Sequence, residues 1–279
     1  MTALAFGKAA GAAIASIAIL YGAALLGLYL WQRHIIFPGA FLRVLPSGAL
    51  PGSVASTDVF TADGERLRAL WKPPRPGCGL VVTFHGNGSF PEAGAARFAA
   101  GPWARDGWGV LAIAYRGYPG STGSPSEAGL IADGMAALAD AKRRAPSSPV
   151  LLHGHSLGTA VAIAVAERDP HYAGLYLDAP FASVLALAQA RLPLVPVAIL
   201  LKDPFRSDLR IGHVHGPVVI IHGTGDGTVP IAEGRRLADV APKGTVFEAV
   251  AGDHVSLLGT RDATWEPAFQ RATGGCPAP

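Results

Sequence analysis

The stretch VLLHGHSLGTA, residues 150–160, is the feature that most constrains how this chain can fold. A short run of Val and Leu leads into Gly154, Ser156 and Gly158 at alternate positions, and a run of Ala and Val typical of a helix follows. A serine at the apex of a sharp strand-to-helix turn has a strained backbone, and glycine leaves the room that the turn needs two residues before and after it. The pattern therefore predicts a serine hydroxyl lifted clear of a buried sheet.

Short apolar runs alternate with helical stretches along most of the chain. Runs at 56–60 and 67–71 flank Asp63 and Gly64, a dipeptide that favours a hairpin. Six later runs lack clean polar alternation, as expected for strands buried on both faces: 80–84, 110–114, 150–152, 175–177, 218–221 and 246–250. Helical stretches between them include 127–144, 159–168 and 231–240. This order predicts an α/β fold with a mostly parallel central sheet flanked by helices on both sides.

An apolar segment precedes this alternation. Residues 9–31 carry no charge, in a chain that is 50% hydrophobic and only 15% charged. As a helix the segment would be about 34 Å long, enough to cross a bilayer, and Tyr29 and Arg33 stand at its end as at a membrane interface. We predict a transmembrane anchor in residues 1–36 and one α/β domain in residues 37–279. A signal peptide and a buried core helix are the alternatives, and the side of the membrane is left open because basic residues occur at both ends.

The segment 181–217, between the fourth and fifth of the parallel strands, differs from the other connections. It contains LALAQARLPLVPVAILL, in which Pro193 and Pro196 interrupt a stretch too short to span a membrane. It is either a helix and loop packed on the edge of the sheet, or a short lid-like insertion that lines a site for an acyl chain. Residues 37–51 contain repeated Pro and Gly and are interpreted as an irregular connector.

Charge and cysteine content disfavour several classes of function. The net charge is only +3 and no Lys/Arg run has interleaved aromatic residues, which argues against nucleic acid binding. Cys78 and Cys276 form neither a CxxC motif nor a dense disulfide framework, and their pairing is left open. His213 and His215 have no cysteine or carboxylate cluster beside them, so we expect loop residues rather than a metal site. The oligomeric state is also left open.

A serine hydroxyl is a weak nucleophile, which needs a base within hydrogen-bond reach and a third group to orient that base. Sites in open α/β sheets form at the carboxyl ends of strands, and in this kind of strand–turn–helix site the histidine comes last along the chain. His254, which follows the last apolar run, meets both requirements. His222 also ends a strand, but it precedes a turn and is expected to support the loop.

Three aspartates are candidates for the orienting acid. We choose Asp226, because in IHGTGDGTVP it lies directly beyond a strand end and between the serine and the histidine in sequence. Asp178, at the preceding strand end, is the alternative, since that position is also close to the serine turn. Asp253 would have to fold back on its neighbour His254 and is the weakest candidate.

Attack on a carbonyl group places negative charge on its oxygen, so two preorganised N–H donors are needed. One is expected to be the backbone amide of Leu157, directly after the serine. The second is expected from the loop after the first parallel strand, where TFHGNGS places Asn87 between two glycines. An ordinary glycine turn would explain the same residues.

Together these motifs resemble the α/β-hydrolase superfamily, in particular its membrane-anchored Bem46-like branch. The resemblance rests on FHGNG from Phe84, YRGYPGSTGSPSE from Tyr115, GHSLG from Gly154, DAPFASV from Asp178 and PVVIIHGTGDGTVP from Pro217, with a final DH at 253–254. It implies an α/β-hydrolase fold, a membrane anchor, and a serine hydrolase that cleaves ester or thioester bonds of acyl or lipid-like substrates. No cofactor or metal is required for that chemistry.

The chain departs from this family at several positions around the site. Thr159 stands where members commonly have a second glycine, and Gly227 and Thr228 replace a more usual acidic or polar pair. Asp253 replaces a glycine, and the two residues after His254 are also unusual. A triad of Ser156, Asp226 and His254 with an acyl-enzyme intermediate is the reading we favour. A peptidase of the same fold and a non-catalytic, membrane-tethered binding protein are the alternatives.

Overall fold

The protein is described from a computed structural model, which describes residues 3–42, 50–274 and 276. An eight-stranded sheet has the order β1-β2-β4-β3-β5-β6-β7-β8. Strands β1, β2 and β4 pair antiparallel, and the other neighbours pair parallel. The strands are β1 Ala55–Phe60, β2 Arg66–Lys72, β3 Leu80–Phe84, β4 Gly109–Ile113, β5 Val150–His155, β6 Gly174–Asp178, β7 Val218–Gly223 and β8 Val246–Val250.

Helices cover both faces of the sheet, which explains why its central strands are apolar on both sides. Every residue of β3, β4 and β6 is buried, whereas the edge strand β8 is partly exposed. The predicted α/β fold with a mostly parallel sheet is confirmed. The helices are α1 Ala3–Ile36, α2 Pro91–Phe98, α3 Gly101–Arg105, α4 Glu127–Arg144, α5 Leu157–Arg168, α6 Val184–Arg191, α7 Val197–Leu200, α8 Ser207–Arg210, α9 Ile231–Asp239 and α10 Asp262–Ala272.

Most of helix α1 is exposed. Within the described residues, Ala10–Ile36 is the one helical stretch long and apolar enough to cross a membrane, and most of its described side chains are exposed. Its last turns pack on the domain, because Gln32 is buried there and Phe37 beyond it is fully buried in the core.

The interpretation of 37–51 as an irregular connector is wrong for its first residues. Pro38–Phe41 forms a 3-10 helix, and the N–H of Gly39 donates to the carbonyl of Asn87 at 3.2 Å. Close packing makes glycine necessary at this position, since a Cβ on Gly39 would lie 2.9 Å from that same carbonyl oxygen. Residues 43–49 of the connector lie outside the described part of the chain.

The two cysteines form a disulfide. Cys78, just before β3, is bonded to Cys276 across a sequence separation of 198 residues, with the two Cα atoms 4.5 Å apart. The bond ties the end of the chain to the beginning of the parallel sheet. The sequence had left this pairing open, because distant cysteines give no local signal of their proximity.

Candidate active site

The serine turn has the strained geometry that the glycine spacing predicts. Ser156 lies between β5 and α5 with φ 52° and ψ −118°, a conformation that residues other than glycine rarely adopt. A Cβ on Gly154 would collide with the backbone of Gly158, and a Cβ on Gly158 would collide with the carbonyl of Phe84. The N–H of Ser156 donates to the carbonyl of Asp178 at 2.9 Å, which helps to hold the turn.

Thr159 stabilises the same turn. Its hydroxyl donates to the carbonyl of Ser156 at 2.6 Å, and the side chain is fully buried. The departure from a second glycine after GHSLG is therefore accommodated by a local hydrogen bond.

Two backbone amides without protein partners lie next to the serine. A Cβ on Gly86 would be 3.4 Å from that of Ser156, so the loop after β3 lies directly against the serine turn. Among the described residues, neither the N–H of Asn87 nor that of Leu157 donates to another group. Both residues line the same cavity as Ser156.

The Asn87 loop is held through its carbonyl groups. Tyr118 donates its hydroxyl to the carbonyl of Asn87 at 2.8 Å, alongside the Gly39 bond. His85 donates from Nδ1 to the carbonyl of Gly86 at 2.8 Å, and burial lowers the pKa of His85 to about 4. A neutral, buried imidazole and a tyrosine thus fix the loop and leave the Asn87 amide free.

Asp226 and His254 are brought together at the ends of β7 and β8. Nδ1 of His254 lies 2.6 Å from Oδ2 of Asp226, while Oδ1 accepts the backbone N–H groups of Thr228 at 2.9 Å and Val229 at 2.8 Å. Both carboxylate oxygens are engaged, so the orientation of the acid is fixed. With Nδ1 directed at the carboxylate, Nε2 is the ring nitrogen of His254 that remains available to other groups.

His222 contacts the loop that carries Asp226. It is fully buried, its Nε2 donates to the carbonyl of Val229 at 2.9 Å, and the same nitrogen lies 3.5 Å from Oδ2 of Asp226. Burial lowers the pKa of His222, so the ring is neutral and acts as a hydrogen-bond donor to the loop.

His155 links the serine turn to the histidine loop. Its Nε2 donates to the backbone carbonyl of His254 at 2.9 Å, and burial lowers the pKa of His155 to about 4. Among the described residues, the imidazole of His254 hydrogen-bonds to Asp226, and no hydrogen bond joins it to the hydroxyl of Ser156. Catalytic hydrogen bonds are often long without a ligand and shorten when substrate binds.

Asp178, the alternative acid, contacts a different set of residues. Its Oδ2 accepts from Arg97 at 2.5 Å and from His153 at 3.0 Å, and Arg97 also pairs with Asp262 at 2.6 Å. Burial alone would raise the pKa of Asp178, but the Arg97 charge and the His153 hydrogen bond hold it well below its usual range. Of the three aspartates considered from the sequence, Asp226 is the one in contact with the His254 ring.

Asp253 faces its own backbone. Its Oδ1 accepts the N–H groups of Val255 at 2.9 Å and Ser256 at 2.8 Å, and the Ser256 hydroxyl accepts the N–H of Asp253 at 2.8 Å. This reciprocal cap shapes the turn that carries His254. Asp253, which stands where the family commonly has a glycine, and Ser256 therefore stabilise this turn through side-chain hydrogen bonds.

An apolar cavity of about 420 Å³ lies over the serine. Ser156, Leu157 and Asn87 are among its lining residues, and other parts of its wall come from α6, α7 and the last turns of α1. Arg191 is the one charged residue among its described lining residues. The cavity suits a long apolar group bound with its polar end near the serine hydroxyl.

Comparison with known proteins identifies the family. An uncharacterised Mycobacterium tuberculosis protein, Rv2307c, is 33% identical over 86% of this chain and 85% of its own length. A family model described as serine aminopeptidase, S33 matches residues 75–205. The chain belongs to the α/β-hydrolase superfamily. It is thus an enzyme of the serine hydrolase type, as the motifs predict.

Two further proteins that this hydrolase resembles, one in sequence and one in structure, have names that state an activity. Lysophosphatidylserine lipase ABHD12 of Macaca fascicularis is 30% identical in an aligned region that spans 50% of this chain and 40% of that lipase. The solved structure of the Pyrococcus furiosus esterase PF2001 has a TM-score of 0.66 with 19% identity, over 84% of this chain and 97% of that one. The structural likeness at this identity supports the fold alone.

The contribution of α1 to the cavity of the hydrolase was not predicted from the sequence. Leu28, Gln32 and Ile36 line it, and Gln32 is buried. Gln32 donates to the carbonyl of Leu200 at 3.1 Å and accepts the N–H of Lys202 at 2.8 Å. The sequence offers one signal, because Gln32 stands at the end of the apolar segment, and an amide that becomes buried there needs polar partners.

Proposed function

We propose that this hydrolase cleaves ester or thioester bonds of acyl lipids through a covalent intermediate on Ser156. The Ser156 hydroxyl attacks the carbonyl carbon and gives its proton to Nε2 of His254, while Asp226 holds Nδ1 and stabilises the imidazolium ion. The proton then passes to the leaving oxygen or sulfur as that bond breaks. Water, deprotonated by the same histidine, cleaves the acyl-enzyme and regenerates the serine.

The amides of Asn87 and Leu157 are proposed to bind the oxyanion formed at each attack. Support comes from their position beside Ser156 and from the absence of any other acceptor for them among the described residues. Preorganised N–H donors cost no reorganisation when charge develops, which makes such a pair effective in a site with little water.

The apolar cavity that Ser156 lines carries the proposal of an acyl substrate. Its described lining residues include no carboxylate, which is the usual strong partner for the free amino group of a peptide. This favours acyl esters over the aminopeptidase activity named in the family description. The lipase activity described for ABHD12 points in the same direction.

We also propose that α1 is retained as a membrane anchor. A cleaved signal peptide would remove Gln32 from its two backbone partners and Arg33 from Asp203, which lies 2.9 Å away. Disulfides persist in oxidising compartments, so the Cys78–Cys276 bond favours a domain outside the cytoplasm. A membrane-impermeant maleimide, applied to intact cells after reduction of the disulfide, tests on which side of the membrane the domain lies. We expect labelling of the cysteines, whereas a cytoplasmic domain would not be labelled.

A fluorophosphonate probe tests the nucleophile. We expect the full chain in detergent to be labelled at Ser156 and Ser156→Ala to remain unlabelled, with Ser183→Ala as a control that keeps labelling. Persistent labelling of Ser156→Ala would refute the assignment.

An ester series of increasing acyl length tests the substrate. Each methylene buried in the cavity contributes about 0.8 kcal/mol, so kcat/KM should rise by about fourfold per methylene until the cavity is filled. A preference for acetyl esters, or faster hydrolysis of amino-terminal peptide bonds, would contradict the proposal.

A further inference from the structure

The tip of the insertion exposes large apolar side chains. Between Arg191 and Lys202 the ten residues 192–201 carry no charge. Leu194 and Ile199 are each 84% exposed, although neither lines the cavity. Exposed apolar side chains grouped on one short segment are typical of a surface that contacts a partner or a membrane.

This segment lies beside the apolar part of α1. The hydroxyl of Tyr21 donates to the carbonyl of Leu194. Tyr21 is 15 residues before the end of α1 at Ile36, which is about 22 Å along the helix axis. If Ala10–Ile36 crosses a bilayer, a segment packed against Tyr21 lies at the depth of the acyl chains.

Charged residues flank the tip on the side of the domain. Lys202 places its ammonium group 3.9 Å from the centre of the Tyr29 ring, and Arg33 pairs with Asp203 one residue further on. Lysine and tyrosine at the end of an apolar segment are typical of the boundary between lipid and water. The change from apolar to charged residues therefore occurs at the same level on α1 and on the insertion.

The backbone of the tip has few unpaired donors. Pro193 and Pro196 have no N–H group, and the N–H groups of Val195, Val197 and Ile199 donate to carbonyls within the segment. Lipid provides no hydrogen-bond partners, so a segment that is not one long helix can enter it only with its backbone groups satisfied. The two prolines, which break the helix, thus also reduce the cost of insertion.

We propose that residues 192–201 insert into the bilayer beside α1, and that the cavity between the two opens into the lipid. The substrate then enters sideways from the membrane, with its acyl chain between α1 and the insertion and its carbonyl group at Ser156. The entry route rests on the proposed function, whereas the insertion itself does not. The partner is the hydrocarbon layer of a membrane, and α1 forms one wall of the entrance as well as the anchor.

Depth-dependent quenching tests the insertion. The full chain carries Leu194→Cys, labelled without reductant so that Cys78 and Cys276 remain paired, and is reconstituted in phosphatidylcholine vesicles. A polarity-sensitive dye at position 194 should emit at shorter wavelength and be quenched by spin labels deep on the acyl chain about fivefold more than at Phe60→Cys. Phe60 is the matched control, because it is 69% exposed on the edge strand β1.

Equal emission at the two positions, with quenching by aqueous iodide at both, would overturn the insertion. The chain without an added cysteine should take up no dye, which checks that the signal comes from the introduced site. Since this readout needs no turnover, it stands even if the enzyme acts on another bond.

Hydrolysis in vesicles tests the entry route. The double variant Leu194→Asp with Ile199→Asp should hydrolyse a long-chain monoacyl ester in vesicles about tenfold more slowly than the wild type. Its fluorophosphonate labelling and its hydrolysis of 4-nitrophenyl acetate should be unchanged, whereas Phe60→Asp should leave all three unchanged. Equal rates in vesicles would refute lateral entry, and a wild type that fails all three assays would refute the proposed function instead.

Discussion

Two aspartate–histidine pairs lie at the carboxyl end of the sheet, and their surroundings differ. Asp226 and His254 are 2.6 Å apart, and Asp178 and His153 are 3.0 Å apart. Arg97 contacts both members of the second pair and lies 2.5 Å from the Asp178 carboxylate. In the first pair, the carboxylate oxygen of Asp226 that does not face His254 accepts two backbone N–H groups. The first pair is held by neutral backbone groups and the second by a cation.

This difference separates a pair suited to proton transfer from a structural one. His153 is 3% exposed and burial lowers its pKa, while the guanidinium already neutralises Asp178. The side chain of His254 is 15% exposed on a loop close to the serine turn. A histidine can accept and return a proton only if its charged form is stabilised. Among the described residues, Asp226 pairs with no Arg or Lys, so its charge is available to the His254 ring.

Asp226→Asn gives the largest expected effect. The amide cannot stabilise the imidazolium ion and favours the wrong tautomer, so kcat should fall by about 10³- to 10⁴-fold. Asp178→Asn is the matched comparison and should lower kcat of the folded enzyme by less than about tenfold. Ester hydrolysis at equal folded concentration measures both, and a larger loss for Asp178→Asn would move the role to that residue.

The effects on stability should be reversed. Asp178→Asn leaves the buried Arg97 with Asp262 as its one charged partner among the described residues, which should lower the free energy of unfolding by about 3 kcal/mol. Asp226→Asn keeps an oxygen acceptor for the loop amides and should cost about 1 kcal/mol or less. Urea unfolding of both variants gives the comparison, and equal losses would mean that the two carboxylates share one role.

We expect acid to lower the stability of the protein by protonating Asp178, the buried partner of Arg97. Because the folded-state pKa of Asp178 lies well below its ordinary value of 3.8, its contribution to stability is present above that value and is lost as the pH falls below it. Between about pH 5 and pH 3 the wild type should lose about 1 kcal/mol more than Asp178→Asn, which lacks this titration. Parallel losses in the two proteins would show that other groups control acid unfolding.

His155 should have the smallest effect. His155→Phe removes the donor to the His254 carbonyl and should lower kcat/KM by about tenfold through displacement of the loop, without loss of fluorophosphonate reactivity at saturating probe. His155→Gln retains an N–H donor and should recover most of the activity. If both variants lose activity equally, the imidazole has a role beyond this hydrogen bond.

Much of the fold could be predicted from local patterns. Helix α4 has the bounds that the sequence predicts, because Ser126 caps its start and basic residues occupy its last turn. The short helices α2 and α10 were not predicted, since each packs on residues distant in sequence and carries little periodicity of its own. Arg97 on α2 was therefore missed, and with it the reason why Asp178 and Asp226 have different partners.

The sequence by itself determined the serine turn, the order of strands and helices and the family, because glycine spacing and apolar periodicity are local properties of the chain. Only the tertiary structure decided which aspartate contacts His254, since Arg97, Asp262 and His153 converge on Asp178 from separate elements. It also brought the end of α1 against the insertion, where Gln32 bonds to residues 168 and 170 positions away. Contacts at such distances depend on how whole elements pack, and no local pattern contains them.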